Sequence, residues 1–496
     1  MTASTAHIDQ ERRKRAPKKP KAPGKKGAPK VARFVGGPFA FYGLLAAVVV
    51  LLGLGTLMVV SASSGEAIIN QVSKEAAKAA EAGKVAGLTS IKASVWEVGL
   101  KHLISIILGA LIAWGLSCIN YRDYRKFALP AGLALLALLI AVPIFGFESN
   151  GAKRWIIIAG QSIQPSEFAK PILFLIATFA FYRIRELGNS HTFDLDIWLI
   201  PFPLLLASVG LIFAQPETGN VLILMVGIAV AYLMLDLPMR NFWGAVGCLG
   251  AGVAIISIIT PYRAQRILQF VGAGEKDADA LWQVKQAQLA FGSGGFTGLG
   301  PGLSRQKYFY LPEAQNDFII AIIGEELGFL GSATVLAAFA LMLFCGFKIA
   351  LKAKDSLGRA LASGSLAMLI FQAILNVFSV TGLGPVTGKP LPFVTLGGSS
   401  MITSFILLGI ILSVARFGGQ KEGRVVGASN VRLRRASVKK EPAQAPRAAH
   451  VPRQTRSAKK SSHPRTPQPQ QKEEFDEDSL EWRWDSGSHL SGPRRR

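Results

Sequence analysis

The segment LPEAQNDFIIAIIGE, Leu311–Glu325, carries a carboxylate where a polar stretch gives way to an apolar one. Asp317 is followed at once by the run Phe318–Ile323, which predicts that it sits at the mouth of a helix rather than inside one. A carboxylate so placed can face a polar head group while staying hydrated, and the positive end of the helix dipole favours its ionised form. That is the state required of a general base or of a ligand to a divalent cation. In a regular helix Glu325 would lie about 12 Å deeper and about 80° round the axis from Asp317, too far to share one metal ion with it. Glu325 and Glu326 are therefore expected to be buried and paired, with Gly324, Gly328 and Gly331 allowing close packing or a break nearby.

Other charged groups gather in a few motifs. In QPSEFAK, Pro165 and Ser166 make a helix start, and Glu167 and Lys170, three apart, share a face and can pair. An unpaired acid at membrane depth would cost several kcal/mol, so a structural pair is the expected role. NGAKRW sets Lys153, Arg154 and Trp155 at a membrane interface. The stretch 261–316 includes Arg263, Arg266, Lys285, Arg305 and Lys307, which either bind a phosphate-bearing lipid or pair with Glu275, Asp277, Asp279 and Glu313. Within it, GSGGFTGLGPG, Gly292–Gly302, lacks the Gly-Lys-Ser/Thr ending of a nucleotide-binding loop and suits a re-entrant turn or a backbone nest for a pyrophosphate. The segment Thr381–Ser400, rich in Gly and Pro, is irregular backbone that survives at membrane depth only when buried in protein or lining a wet cavity, so it is expected to wall the same site.

The elements that hold these motifs are apolar spans. Half of the 496 residues are hydrophobic and 17% are charged. Stretches long enough to cross about 30 Å of hydrocarbon recur ten times, at 38–61, 98–118, 127–147, 167–183, 196–214, 219–236, 241–260, 317–347, 359–380 and 399–416. The chain reads as an all-α integral membrane protein: a basic tail (1–36), a ten-helix membrane domain (37–416) with a large outer loop (261–316) between helices seven and eight, and a second basic tail (417–496). Most of the net charge of +24 sits in the two tails, which are expected to be disordered. Their charge places both termini in the cytoplasm and suits adhesion to anionic lipid rather than nucleic acid. An even number of spans follows, and the motif-bearing loops 62–97, 148–166, 215–218, 261–316 and 381–398 fall on the outer face. The acidic run Glu473–Asp485, with Trp482 and Trp484, could dock a cytoplasmic partner. Cys118, Cys248 and Cys345 show no ligand spacing, and the first apolar run reads as a retained helix rather than a cleaved signal.

Taken in order and between these spans, NGAKRW, QPSEFAK, QPETG, PEAQNDFIIAIIGEELG and GKPLPFVTLGGSS resemble the SEDS family, the FtsW/RodA/SpoVE group, over residues 38 to 416. The wording IIGEELG and the long tails are more like its cell-division members than its elongation members. The resemblance implies a glycosyltransferase that polymerises lipid II into peptidoglycan strands on the outer face of the bacterial cell membrane, at the division septum. Its implied partners are a class B penicillin-binding protein that cross-links the strands, and other division proteins. The family's catalytic aspartate falls on Asp317, as acid/base or holding Mg²⁺ or Mn²⁺. Lys153, Arg154, Arg263, Arg266, Lys307, Glu313 and Ser399 are the expected substrate contacts. Gln315 and Asn316 stand where the family usually has His and Thr, Thr395-Leu396 replaces Ser-Tyr, and Glu217 stands for Asp. These departures spare the proposed catalytic acid. Two other classes fit many spans with a few acids: a lipid II flippase or secondary transporter, and a non-catalytic division scaffold. A transporter should spread its ionisable groups to mid-bilayer and both sides, whereas these gather at one edge.

Overall fold

Helices at Pro38, Pro165 and Pro201 start on proline, those at Gly328 and Gly398 start on glycine, and the one at Ser356 is capped by Asp355. The computed structural model describes residues 34–82, 93–149, 152–158, 161–187, 200–215, 217–244, 247, 278–308, 310–311 and 314–419. Nearly all of both tails, most of the seventh expected span and the positions of Arg263, Arg266, Glu313, Cys248 and the Glu473–Asp485 run lie outside the described residues.

The elements, in chain order, are α1 Pro38–Ala82, α2 Ala93–Cys118, a 3₁₀ turn Tyr121–Tyr124, α3 Arg125–Phe145, β1 Phe147–Ser149, β2 Ala152–Ile158, β3 Gln161–Ile163, α4 Pro165–Leu187, α5 Pro201–Ala214, α6 Thr218–Met234, α7 Ala278–Gly294, α8 Ile319–Glu326, α9 Gly328–Lys352, α10 Ser356–Thr381 and α11 Gly398–Phe417. Six of the described helical segments are long and apolar enough to cross a membrane: Pro38–Ser64, Val98–Cys118, Tyr121–Phe145, Gly328–Lys352, Ser356–Thr381 and Gly398–Phe417. α5 and α6 are shorter apolar helices, and α4 carries the buried Glu167 in its first turn and the buried Lys170 in its second. The chain is a helical, multi-pass membrane protein.

α11 packs along α2, α10 along α6, and α9 along α1, with α4 joining α3, α6 and α11. The core is aliphatic and close-packed around α10 and α11, where Leu361, Met368, Ile410, Ile411 and Val414 are fully buried. Large apolar side chains remain exposed along α2, among them Leu103, Ile107, Leu111 and Trp114, as expected of a lipid-facing helix.

Four expectations need correction. The stretch 62–97 is not a loop from its start: α1 continues to Ala82, because EAAKAAEA is composed of strong helix formers although its hydropathy has ended. The stretch 148–166 holds an antiparallel sheet in the order β1-β2-β3. Phe147 pairs with Trp155, Glu148 with Lys153, and Ile156 with Ile163. Trp155 and the isoleucines that follow favour a pleated surface, and Asn150-Gly151 is a two-residue hairpin signal. The stretch 261–316 holds α7, which packs against α8. The eighth span, expected at 317–347, is two helices, α8 and α9, separated at Leu327. Gly328 has φ +66°, a conformation that costs an L side chain about 1–2 kcal/mol. A Cβ there would also lie 2.4 Å from the Gly298 backbone nitrogen.

Candidate functional site

Asp317 lies in a half-buried turn, two residues before α8, with Phe318 as the helix N-cap. The expected position at a helix mouth is therefore what the structure shows. Around it the sequence-distant segments 314–318, 385–397 and the C-terminal half of α10 converge. Asn376 donates to the backbone oxygens of Asp317 at 2.7 Å and Lys389 at 2.8 Å. The Leu396 amide donates to the Gln315 carbonyl at 3.3 Å. A Cβ on Gly388, whose φ is +60°, would lie 3.2 Å from Asp317 Oδ2, so the carboxylate sits against that backbone. Thr381–Ser400 thus walls the Asp317 turn. Phe393 in this wall has φ +64°, a strained conformation for a bulky residue, and it is held there by full burial and an edge-on contact with Phe405 at 5.4 Å between ring centroids.

Behind the wall is a buried charged cluster built from four elements. Glu217, immediately before α6, pairs with Lys389 and lies 3.4 Å from Arg154 Nε on β2. It also accepts from Gln164 Nε2 at 2.9 Å and Asn220 Nδ2 at 3.3 Å. On α4, Lys170 pairs with Glu167 at 2.7 Å and donates to Gln372 Oε1 at 2.7 Å. Gln372 in turn donates to the Pro390 carbonyl at 2.8 Å. Ser399 is buried at the start of α11, where its hydroxyl accepts from the Gln164 amide at 3.1 Å. Each buried charge thus has an opposite charge beside it, and Glu217 and Lys170 have further hydrogen bonds, which makes such pairs tolerable away from water. Gly219 makes the room: a Cβ there would lie 2.6 Å from Lys389 Cε.

A second cluster fixes the glycine-rich loop. Glu325 accepts from the Arg305 amide at 2.9 Å and from the Ser304 hydroxyl, and Glu326 accepts from the amides of Gly302 at 2.9 Å and Ser304 at 3.2 Å. The Leu299 and Gly300 amides bond to the carbonyls of Glu325 and Glu326. Backbone donors that could have formed a nest for a pyrophosphate are taken by the protein's own acids. Lys307 places its ammonium 3.0 Å from Glu326, 3.0 Å from Ser61 Oγ on α1 and 2.7 Å from the Gly302 carbonyl. All three of its donors are engaged and the side chain is buried, so Lys307 is a structural cation rather than the substrate-facing one the sequence suggested.

Of the other expected contacts, Lys153 is exposed on β2 opposite Glu148, and Arg154 is partly buried on Glu217. Arg263, Arg266 and Glu313 fall outside the described residues. Spacing missed Glu217, Lys389, Asn376 and Gln372. The signals present were an acid at a helix start in QPETG and a lysine between a glycine and a proline in GKPLP. Among the described residues no three His, Cys, Asp or Glu side chains cluster as a metal site.

Residues 42–420 match the FTSW/RODA/SPOVE family of cell cycle proteins. A probable peptidoglycan glycosyltransferase FtsW of Geobacter metallireducens is 36% identical over 300 residues, covering 60% of this chain and 79% of that protein. The stage V sporulation protein E of Bacillus subtilis is 34% identical over 328 residues, covering 64% and 86%. Among solved structures, a chain described under structural coordination of polymerization and crosslinking by a peptidoglycan synthase complex aligns with a TM-score of 0.56 at 26% identity, over 77% of this chain and 98% of its own. The rod shape determining protein RodA of Thermus thermophilus aligns with a TM-score of 0.51 at 25% identity over the same shares. The helical architecture, the ordered motifs and these matches together make the chain a member of the FtsW/RodA/SpoVE family, the SEDS proteins.

Proposed function

We propose that the chain is a peptidoglycan glycosyltransferase that polymerises lipid II on the outer face of the bacterial cell membrane during division, with Asp317 at the reacting centre. The observation that carries this reading is the half-buried Asp317 turn, walled by the Gly388–Lys389 backbone and adjoining a buried charged cluster. The acceptor's sugar 4-hydroxyl loses its proton as its oxygen attacks the anomeric carbon of the growing strand, and the bond to the lipid pyrophosphate breaks. Asp317 Oδ takes that proton as general base. Exposed Lys153 and partly exposed Arg154, with Arg263 and Arg266 from the stretch outside the described residues, offer cations for the leaving charge.

A single carboxylate fits a divalent cation that takes most of its oxygen ligands from pyrophosphate and water, as Mg²⁺ or Mn²⁺ does. Such an ion would supply charge neutralisation at the leaving group. The clustering of Arg122, Arg125, Lys126, Arg185, Lys352, Lys354, Arg359 and Arg416 near the other ends of the helices supports a cytoplasmic assignment for that end. The Asp317 end then faces outward. The solved relative described under polymerization and crosslinking by a synthase complex supports a cross-linking partner, which we take to be a class B penicillin-binding protein acting with this chain at the division septum.

Asp317→Asn, purified with the cognate transpeptidase, is expected to keep the parent's thermal stability and to make no glycan from lipid II. Undiminished polymerisation by that variant would sink the assignment, and lipid II translocation without glycan synthesis by the parent would favour a flippase.

A further inference from the structure

The geometry points to Asn376 as a positioning residue that ties the Asp317 turn to the wall loop, an inference that rests on the reading of Asp317 as the reacting acid. Asn376 is buried in α10, 1% exposed. Its one amide nitrogen donates to the backbone oxygens of both Asp317 and Lys389, at 2.7 and 2.8 Å. Two carbonyl acceptors on the same atom fix the amide's orientation, because the flipped form would set its own oxygen against both.

The bridge is local in space and distant in sequence. Gln372, four residues earlier and so on the same face of α10, grips the next carbonyl of the wall loop, that of Pro390, at 2.8 Å. Gln372 ties the wall to Lys170 and Ser400, whereas Asn376 ties the wall to the Asp317 turn. Asn376 Oδ1 is buried with no hydrogen-bond partner among the described residues. A buried acceptor left in that state costs free energy that an aliphatic residue would avoid, so packing does not account for an asparagine here. Its donors do, by joining the backbone beside the carboxylate to the loop on which Oδ2 rests near Gly388. Misplacement of a reacting group by as little as 1 Å can cost about a hundredfold in rate.

The test uses the full chain with its cognate transpeptidase, lipid II as substrate, and the variants Asn376→Leu and Asn376→Asp. Asn376→Leu is expected to lower kcat at least tenfold while KM for lipid II stays within threefold. Amide hydrogen exchange should rise together in peptides spanning 314–321 and 386–394, with α9 and the middle of α11 unchanged. Asn376→Asp sets a carboxylate against two carbonyls and regains a donor when protonated, so its rate relative to the parent should rise as pH falls. Parental kcat in Asn376→Leu, or unchanged exchange in either peptide, would overturn the proposal. If Asn376→Leu does not fold, a pH-independent ratio for Asn376→Asp overturns it. A parent chain that makes no glycan defeats the polymerase reading instead, and the exchange comparison then decides the bridge by itself.

Discussion

The two ends of the helix bundle use the same residue types to different effect. At the Asp317 end the pairs are enclosed: the side chains of Glu167 and Lys170 are 2% and 1% exposed, and those of Glu217 and Lys389 are 4% and 5%. At the opposite end Asp236 bridges Arg185 at 3.5 Å and Arg359 at 3.7 Å, yet its side chain is 68% exposed. Water screens the second arrangement and competes for its hydrogen bonds, so it contributes little; in the first, each charge depends on its partner. Asp355 shows that depth rather than end decides this: it is enclosed, accepts from Tyr121 at 2.5 Å and the Gly358 amide at 3.2 Å, and caps α10.

Four variants test that contrast. Lys389→Ala leaves Glu217 with Arg154 as its remaining ion-pair partner among the described residues and should destabilise by about 3–5 kcal/mol. The double variant Lys389→Met with Glu217→Leu should recover most of that loss in a thermal melt. A double variant as unstable as Lys389→Ala would show that the cluster is held by more than charge pairing. Glu326→Gln keeps the shape but removes the charge facing Lys307, Ser61 and the 302–304 amides, and a loss of about 2–3 kcal/mol is expected. Added salt should not mimic that loss, since the pair is buried. Asp236→Asn should change stability by less than about 1 kcal/mol, and that small effect should vanish in high salt. A loss at Asp236 equal to that at Glu326 would erase the distinction between enclosed and exposed charges.

What could be read in the sequence follows the distance over which each interaction acts. Glu167 and Lys170 pair within one helical turn, so their spacing reveals them. Glu217 and Lys389 meet across the fold, and no local pattern announces that contact. The burial of Glu325 and Glu326 follows from their depth beyond Asp317, but the identity of their partners does not. Lys307 therefore looked like a substrate cation when it is a strut between α1 and the helix break. Hydropathy located the six described spans and misjudged where α1 ends, because helix formation and lipid preference are separate properties and EAAKAAEA satisfies only the first. The sheet at 147–163 was signalled by Asn150-Gly151 and the following isoleucines, signals too short to override a reading of the region as a loop.

The space at Gly219 has a consequence for how such a chain can vary. Lys389 cannot swing aside to admit a side chain at 219, because Glu217 holds its ammonium and Asn376 holds its backbone. The lysine at 389, so held, therefore demands glycine at 219. An alanine at 219 would be admitted only with a shorter side chain at 389, whereas shortening 389 places no demand on 219.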